Sequence, residues 1–146
     1  MVTKLILSIP AYYKYIKIFK DVVEDILELN GISEDEVFEV KLAIAEAAVN
    51  VIKHSYCCEC DKKIELKIEE IENKMVFMMR DFGEKVDIKE IKSRDLDNFK
   101  ENGLGVYIIK SVMDSVEYRH MKRGTLLTMS KVMGDGSCGN REQHRD

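Results

Sequence analysis

The stretch from Lys63 to Met79 limits the fold more than any other part of the chain. Between Lys63 and Glu69, Ile64, Leu66 and Ile68 alternate with charged residues, the period of a strand with one covered face. A turn around Glu72, Asn73 and Lys74 leads into Met75-Val76-Phe77-Met78-Met79, which is apolar throughout and so predicts a central strand. A hairpin of this kind needs a wider sheet and a layer of helices to cover its apolar face.

The flanking segments supply both. Thr3 to Ile9 reads as a short edge strand, with Pro10 expected to end it and open a helix. Over Tyr12 to Leu29 the residues Tyr15, Ile16, Phe19, Val22, Val23, Ile26 and Leu27 recur at helical spacing, and Asn30-Gly31 is a stop signal. Ser33 to Glu36 forms a capping box that starts a second helix. Val106 to Met113 predicts a short helix with a glycine-rich approach, and Ser115–Met121 and Thr125–Lys131 predict two strands around Lys122-Arg123-Gly124. Strand, two helices, hairpin, helix, hairpin is an α+β order.

Between these elements, Glu84 to Glu101 is densely charged and shows little periodicity, which suits a mobile loop; loops of that length are commonly lids. Gly134 to Asp146 is rich in glycine, asparagine and charge and is expected to be disordered. The expected organisation is one domain over residues 1–133 and a tail over 134–146.

Composition narrows the classes of function. With 45% hydrophobic and 34% charged residues the chain reads as globular, and its apolar runs are too short to cross a bilayer, so no membrane partner is expected. The net charge is −4 with lysines and glutamates interspersed, which argues against direct nucleic-acid binding. The N-terminus has no signal-peptide pattern, giving a cytoplasmic expectation. The four cysteines are then read as reduced thiols. His54, Cys57, Cys58 and Cys60 could ligate zinc, but their spacing matches no familiar finger or ribbon. Met75, Met78, Met79, Met113, Met121 and Met129 read as core filler.

The second helix carries the chemistry. In Leu42 to His54 two polar residues four apart, Glu46 and Asn50, interrupt an apolar run and share one face, with the small Ala43 and Ala47 beside them as room for a ligand. On a wheel Val37, Val40, Ile44, Ala48 and Val51 oppose Glu39, Glu46, Asn50, Lys53 and His54, which an ordinary solvated stripe would also produce. Context decides between the two. Downstream come Asp81-x-Gly83 at a strand end and Gly103-x-Gly105 at a helix start. A carboxylate can act as base, an amide oxygen can ligate Mg²⁺, an aspartate can accept from adenine, and glycines let backbone approach phosphate. Together they describe a nucleotide site.

Ala45-Glu46-Ala47-Ala48-Val49-Asn50-Val51-Ile52-Lys53-His54-Ser55-Tyr56, Asp81-Phe82-Gly83, Gly103-Leu104-Gly105 running on to Asp114, and Gly124-Thr125 running on to Lys131 resemble the N, G1 and G2 boxes and last strand of the GHKL ATP-binding superfamily. Within it the chain resembles the small bacterial anti-sigma factor serine kinases. The resemblance implies the Bergerat fold, a two-layer α/β sandwich of the α+β class. Its mixed, largely antiparallel sheet is covered by helices on one face. It implies ATP and Mg²⁺ as cofactors, Glu46 as general base toward a serine hydroxyl, and Asn50 as the Mg²⁺ ligand. Asp81 and Gly83 would lie at the adenine, with Gly83 giving the ring room, Gly103, Leu104 and Gly105 at the phosphates, and the Thr125 hydroxyl near the adenine, through Asp81 or a water. His54 would support the lid or the phosphate end of the site. The implied partners are a sigma factor of RNA polymerase and an anti-sigma-factor antagonist, the phosphorylation substrate; such relatives commonly form homodimers. Two departures stand out. After Gly83 the chain continues Glu84-Lys85-Val86-Asp87, and the arginine expected before Gly-Leu-Gly is replaced by Lys100, Glu101 and Asn102. Lys100 could supply a point charge there but not a bidentate fork. Two functions remain open, a kinase and an ATP-responsive adaptor without phosphotransfer.

Overall fold

The computed structural model describes residues 4–83 and 103–133. The expected lid, Lys100, the tail and the first residue of the expected edge strand lie outside the described residues.

Strand β1 (Lys4–Ala11) is followed by a single 3₁₀ turn (Tyr13–Tyr15) and helix α1 (Ile16–Leu29). Phe19, Val23, Ile26 and Leu27 of α1 are buried, one stripe of an amphipathic helix. The Asn30-Gly31 stop works as the sequence predicts: Gly31 adopts φ 73°, its N–H donates to the carbonyl of Glu28, and the N–H of Ile32 donates to that of Leu27. Helix α2 (Glu34–Asn50) starts where the Ser33 hydroxyl oxygen accepts from the N–H of Glu36 at 3.3 Å, with Glu34, Asp35 and Glu36 complementing the helix dipole. Its last turn widens over Val51–Ser55, where the N–H of Tyr56 reaches back five residues to the carbonyl of Val51 at 3.0 Å.

Strands β2 (Cys60–Ile71) and β3 (Lys74–Arg80) form the expected hairpin. Glu72 and Asn73 both have positive φ, 46° and 68°, the geometry of a two-residue turn that matches strand twist. After helix α3 (Gly103–Val112), strands β4 (Ser115–His120) and β5 (Thr125–Val132) follow. The sheet order is β1-β2-β3-β5-β4, so β3 is central as its apolar sequence requires. Among the described residues every pairing is antiparallel, which corrects the expected mixed sheet.

One face of the sheet carries Ile64, Leu66, Ile68, Phe77, Met79 and Met129, all buried in one core with Phe19, Ile44 and Ile52 of the helical side. The result is the expected two-layer α+β sandwich. Pro10 corrects an expectation, because it does not end β1 but pairs with Lys63 inside it, with a register shift before Ala11. Proline is tolerated because β1 is an edge strand.

Candidate functional site

Helix α2 delivers the polar pair. Glu46 and Asn50 are both half-buried, while Val37, Val40, Ile44, Ala48 and Val51 of the opposite face are buried in the core. The first turn of α3 stands against the pair. A Cβ on Gly105 would lie 2.7 Å from Glu46 Oε2 and 3.5 Å from Asn50 Oδ1, so only glycine fits there without displacing the carboxylate. A helix N-terminus, with its spare N–H groups and positive dipole end, thus lies beside a carboxylate and a carboxamide. Gly103 opens this helix and Leu104 is exposed on it. Ala43 and Ala47 do not line an open approach: both are fully covered in the core, so their small size serves packing.

At the other end of the site is Asp81, just past β3 and only 3% exposed. Its Oδ1 accepts from the N–H of Gly83 at 3.1 Å and from the N–H of Thr125 at 3.3 Å, and its Oδ2 accepts from the Ser55 hydroxyl at 3.1 Å. The Asp81 N–H donates to the carbonyl of Thr125 at 3.0 Å, tying the end of β3 to the start of β5. Burial pushes the Asp81 carboxyl above its ordinary range, and the Gly83, Ser55 and Thr125 donors and the Arg80 charge only partly oppose this. Oδ2 has acceptor capacity left after its single bond.

Backbone packs tightly around this carboxylate. A Cβ on Gly83 would meet the carbonyl oxygen of Ser55 at 2.6 Å, and one on Gly124 would meet that of Asp81 at 2.0 Å. Gly124 also has φ +79°, which L side chains rarely adopt. The Tyr56 hydroxyl accepts from the N–H of Phe82 at 2.9 Å and donates to the carbonyl of Lys63 at 2.6 Å, latching the turn to β2. Two cations lie over the Phe82 ring, Lys63 at 4.8 Å and Arg80 at 4.4 Å from its centroid, and the Arg80 guanidinium also donates to the Asp81 carbonyl.

Sequence reasoning placed Glu46, Asn50, Asp81, Gly83, Gly103, Leu104, Gly105 and Thr125 in one nucleotide site; the fold brings Gly105 against Glu46 and Asn50, and Gly83 and Thr125 against Asp81. Ser55, Tyr56 and Gly124 stand within the matching segments, but sequence reasoning gave none of them a role. His54 sits half-buried in the wide turn between the two groups. Cys57 and Cys58 are exposed, Cys60 is half-buried, and all three are free thiols. Among the described residues no His, Cys, Asp and Glu group could hold a metal ion.

Comparison with known proteins gives the family and the fold. Residues 9–131 match the family model of the histidine kinase-like ATPase domain. Serine-protein kinase RsbW of Bacillus thuringiensis (strain Al Hakam) is 29% identical over 132 residues, covering 85% of this chain and 82% of that protein. RsbW of Bacillus anthracis is 28% identical over the same lengths. Among solved structures, the SiaB–SiaC complex from Pseudomonas aeruginosa superposes with a TM-score of 0.60 at 13% identity, covering 88% of each chain. The histidine kinase domain of the blue-light activated histidine kinase EL346 from Erythrobacter litoralis gives 0.58 at 13% identity, covering 89% of this chain and 64% of that one. At such identities the two structures speak for the fold alone.

Proposed function

This chain belongs to the histidine kinase-like ATPase domain family, and we propose that within it the protein is an ATP-dependent protein-serine kinase. In this reading it is also an anti-sigma factor, binding a sigma factor of RNA polymerase and phosphorylating a serine of an anti-sigma-factor antagonist. The observation that carries the reading is the contact of Gly105 with Glu46 and Asn50. It sets a prospective base and a prospective Mg²⁺ ligand against a helix N-terminus, the three parts that phosphoryl transfer needs together. The similarity to Bacillus RsbW serine-protein kinases supports the same class.

The residues present fit a nucleotide. Asp81 Oδ2 can accept from an adenine amino group; the missing side chain of Gly83 makes room for the Ser55 backbone rather than for the ring. The N–H groups of Gly103, Leu104 and Gly105 would face the phosphates. Asn50 would hold Mg²⁺, which supplies charge neutralisation across the phosphates when bound. Thr125 supports Asp81 through its backbone, and His54 and Lys100 would serve the phosphate end. Glu46 takes the proton of the attacking serine hydroxyl, which makes that oxygen the nucleophile. No helix among the described residues is long and apolar enough to cross a membrane, in keeping with a cytoplasmic regulator. A homodimer is part of this reading.

The second reading, a nucleotide-responsive adaptor without phosphotransfer, draws on Lys100-Glu101-Asn102 standing where the family's arginine is expected. Calorimetry with Mg-ATP and transfer of radiolabelled phosphate to a cognate antagonist separate the two. Wild type is expected to bind and transfer, and Glu46→Gln to keep binding while losing transfer by roughly 10²- to 10⁴-fold. Binding without labelling of any antagonist leaves the adaptor. Absence of Mg-ATP binding by the wild type defeats both.

A further inference from the structure

The nucleotide chemistry leaves one cluster of reactive side chains unused. Cys57 and Cys58 lie in the bend that joins the wide turn of α2 to β2, and Cys60 is the first residue of β2, opposite Ala11; all three are free thiols. Cys57 and Cys60 have the spacing Cys-x-x-Cys, which allows a disulfide ring with ordinary peptide geometry. A bridge between the adjacent Cys57 and Cys58 would instead force the intervening peptide out of plane.

This bend is tied to the candidate site on one side and to the turn after β1 on the other. Ser55, two residues before Cys57, donates to Asp81, and its carbonyl oxygen is the atom that excludes a side chain at Gly83. Tyr56 holds the N–H of Phe82. On the far side the Glu59 carboxylate accepts from the N–H of Tyr13 at 2.9 Å and that of Asp61 from the Tyr12 hydroxyl at 2.6 Å. Cys57 itself has φ 64°, and its thiol points at the carbonyl of His54. A bridge would need the two Cα atoms within about 7 Å and a specific side-chain torsion, so closing it resets a bend whose neighbours are pinned to Asp81 and Phe82.

We propose that Cys57 and Cys60 are a dithiol modification site, oxidised to a disulfide by peroxides, whose closure loosens the Asp81-Phe82-Gly83 turn. The exposed Cys57 thiolate attacks one peroxide oxygen. The S–O bond forms, the O–O bond breaks, and the second oxygen leaves with a proton as water, or as an alcohol from an organic peroxide. The Cys60 thiolate then attacks the sulfenic sulfur of Cys57 and expels hydroxide, which is protonated to water. Two thiols lose two electrons and two protons, and one peroxide is reduced. That the loosened turn is an adenine contact rests on the proposed function; the chemistry and the loosening do not.

The test uses the full chain and hydrogen peroxide. After peroxide and alkylation of remaining thiols, mass spectrometry of the wild type and Cys58→Ser is expected to find a 57–60 bridge. Cys60→Ser is expected to accumulate sulfenic acid at Cys57. Hydrogen exchange of a peptide spanning Arg80 to Gly83 is expected to quicken at least fivefold in the oxidised wild type and to stay unchanged in the doubly substituted Cys57→Ser/Cys60→Ser protein. A bridge formed elsewhere, with Cys58, Cys138 or a second chain, overturns the site. A 57–60 bridge with unchanged exchange overturns the coupling. A parallel Mg-ATP titration of reduced protein keeps the kinase reading apart, because a failure to bind sinks that reading and leaves both thiol readouts in force.

Discussion

The two ends of the candidate site are built from different material. At the Asp81 end the walls are backbone: the Gly83 and Thr125 amides hold the carboxylate, and Gly83 and Gly124 pack against the carbonyls of Ser55 and Asp81. At the Glu46 end the walls are side-chain tips, since what Gly105 meets is a carboxylate oxygen and a carboxamide. Backbone cannot step aside without moving two strands, whereas a glutamate tip can change rotamer at small cost. The first end should therefore fail by unfolding, and the second by losing chemistry in a folded protein.

The largest expected effect tests the first half of that contrast. Gly124→Ala puts a Cβ 2.0 Å from the Asp81 carbonyl oxygen at a φ of +79°. Left-handed strain and overpacking together should cost about 3–4 kcal/mol, enough to unfold a marginal domain. Urea unfolding by circular dichroism would measure it, and a loss below about 1 kcal/mol would mean that this end can yield after all. Next in size is Gly105→Ala, whose Cβ meets Glu46 Oε2 at 2.7 Å. Stability should change by less than about 1 kcal/mol, while phosphate transfer drops on the order of 100-fold because the base is pushed from its place. Transfer assays on a variant that melts like wild type would establish the separation.

The same contrast explains what could be read from the chain in advance. Local rules sufficed for the Ser33 cap, the Gly31 stop, the hairpin at Glu72-Asn73 and the central position of β3, because each is set by a few neighbouring residues or by one period of burial. The polar pair Glu46 and Asn50 was visible as a spacing but ambiguous until Asp81 and Gly103-x-Gly105 gave it context. Ser55 and Gly124 were not legible as parts of the site. Their roles depend on contacts with Asp81 across 26 and 43 positions of sequence, and no local pattern records a contact of that range. The wide turn at Val51–Ser55 was missed for a related reason, since a shift to a five-residue hydrogen bond is imposed by where Ser55 and Tyr56 must reach. Pro10 was misread because a proline signals a strand's end only when both neighbours demand its N–H, and β1 has one neighbour.

Asp81→Asn sharpens the comparison from inside the backbone-walled end. The Asp81 carboxyl is raised in the folded protein, so the native state holds its proton more tightly than the unfolded chain does. Its contribution to stability is then fully present below the unfolded value and is lost as pH rises through the folded value. The amide removes the buried charge. The variant should be at least as stable as wild type near neutrality, with the difference shrinking as the solution is acidified. ATP affinity should fall roughly tenfold or more, the worth of a hydrogen bond to a charged acceptor. Thermal melts across pH, paired with calorimetry, would follow both, and a variant that loses stability at neutral pH would contradict the assignment of burial as the dominant cause.

Tyr56→Phe is the mildest probe and tests how far the backbone walls depend on one side chain. It leaves the ring in place and removes only the hydroxyl that accepts from Phe82 and donates to Lys63. Both backbone groups are partly buried, so the cost should be about 1–2 kcal/mol, the range for orphaning such partners rather than for making a cavity. Glu46, Asn50 and Gly105 do not touch this latch, so the transfer rate at saturating nucleotide should hold within about twofold. The loss should instead appear in nucleotide affinity and in faster exchange of the Phe82 amide. A variant with normal affinity and a slowed transfer step would show that the two ends are not separate structures, because a disturbance confined to the Asp81 turn would then have travelled along α2 to the base.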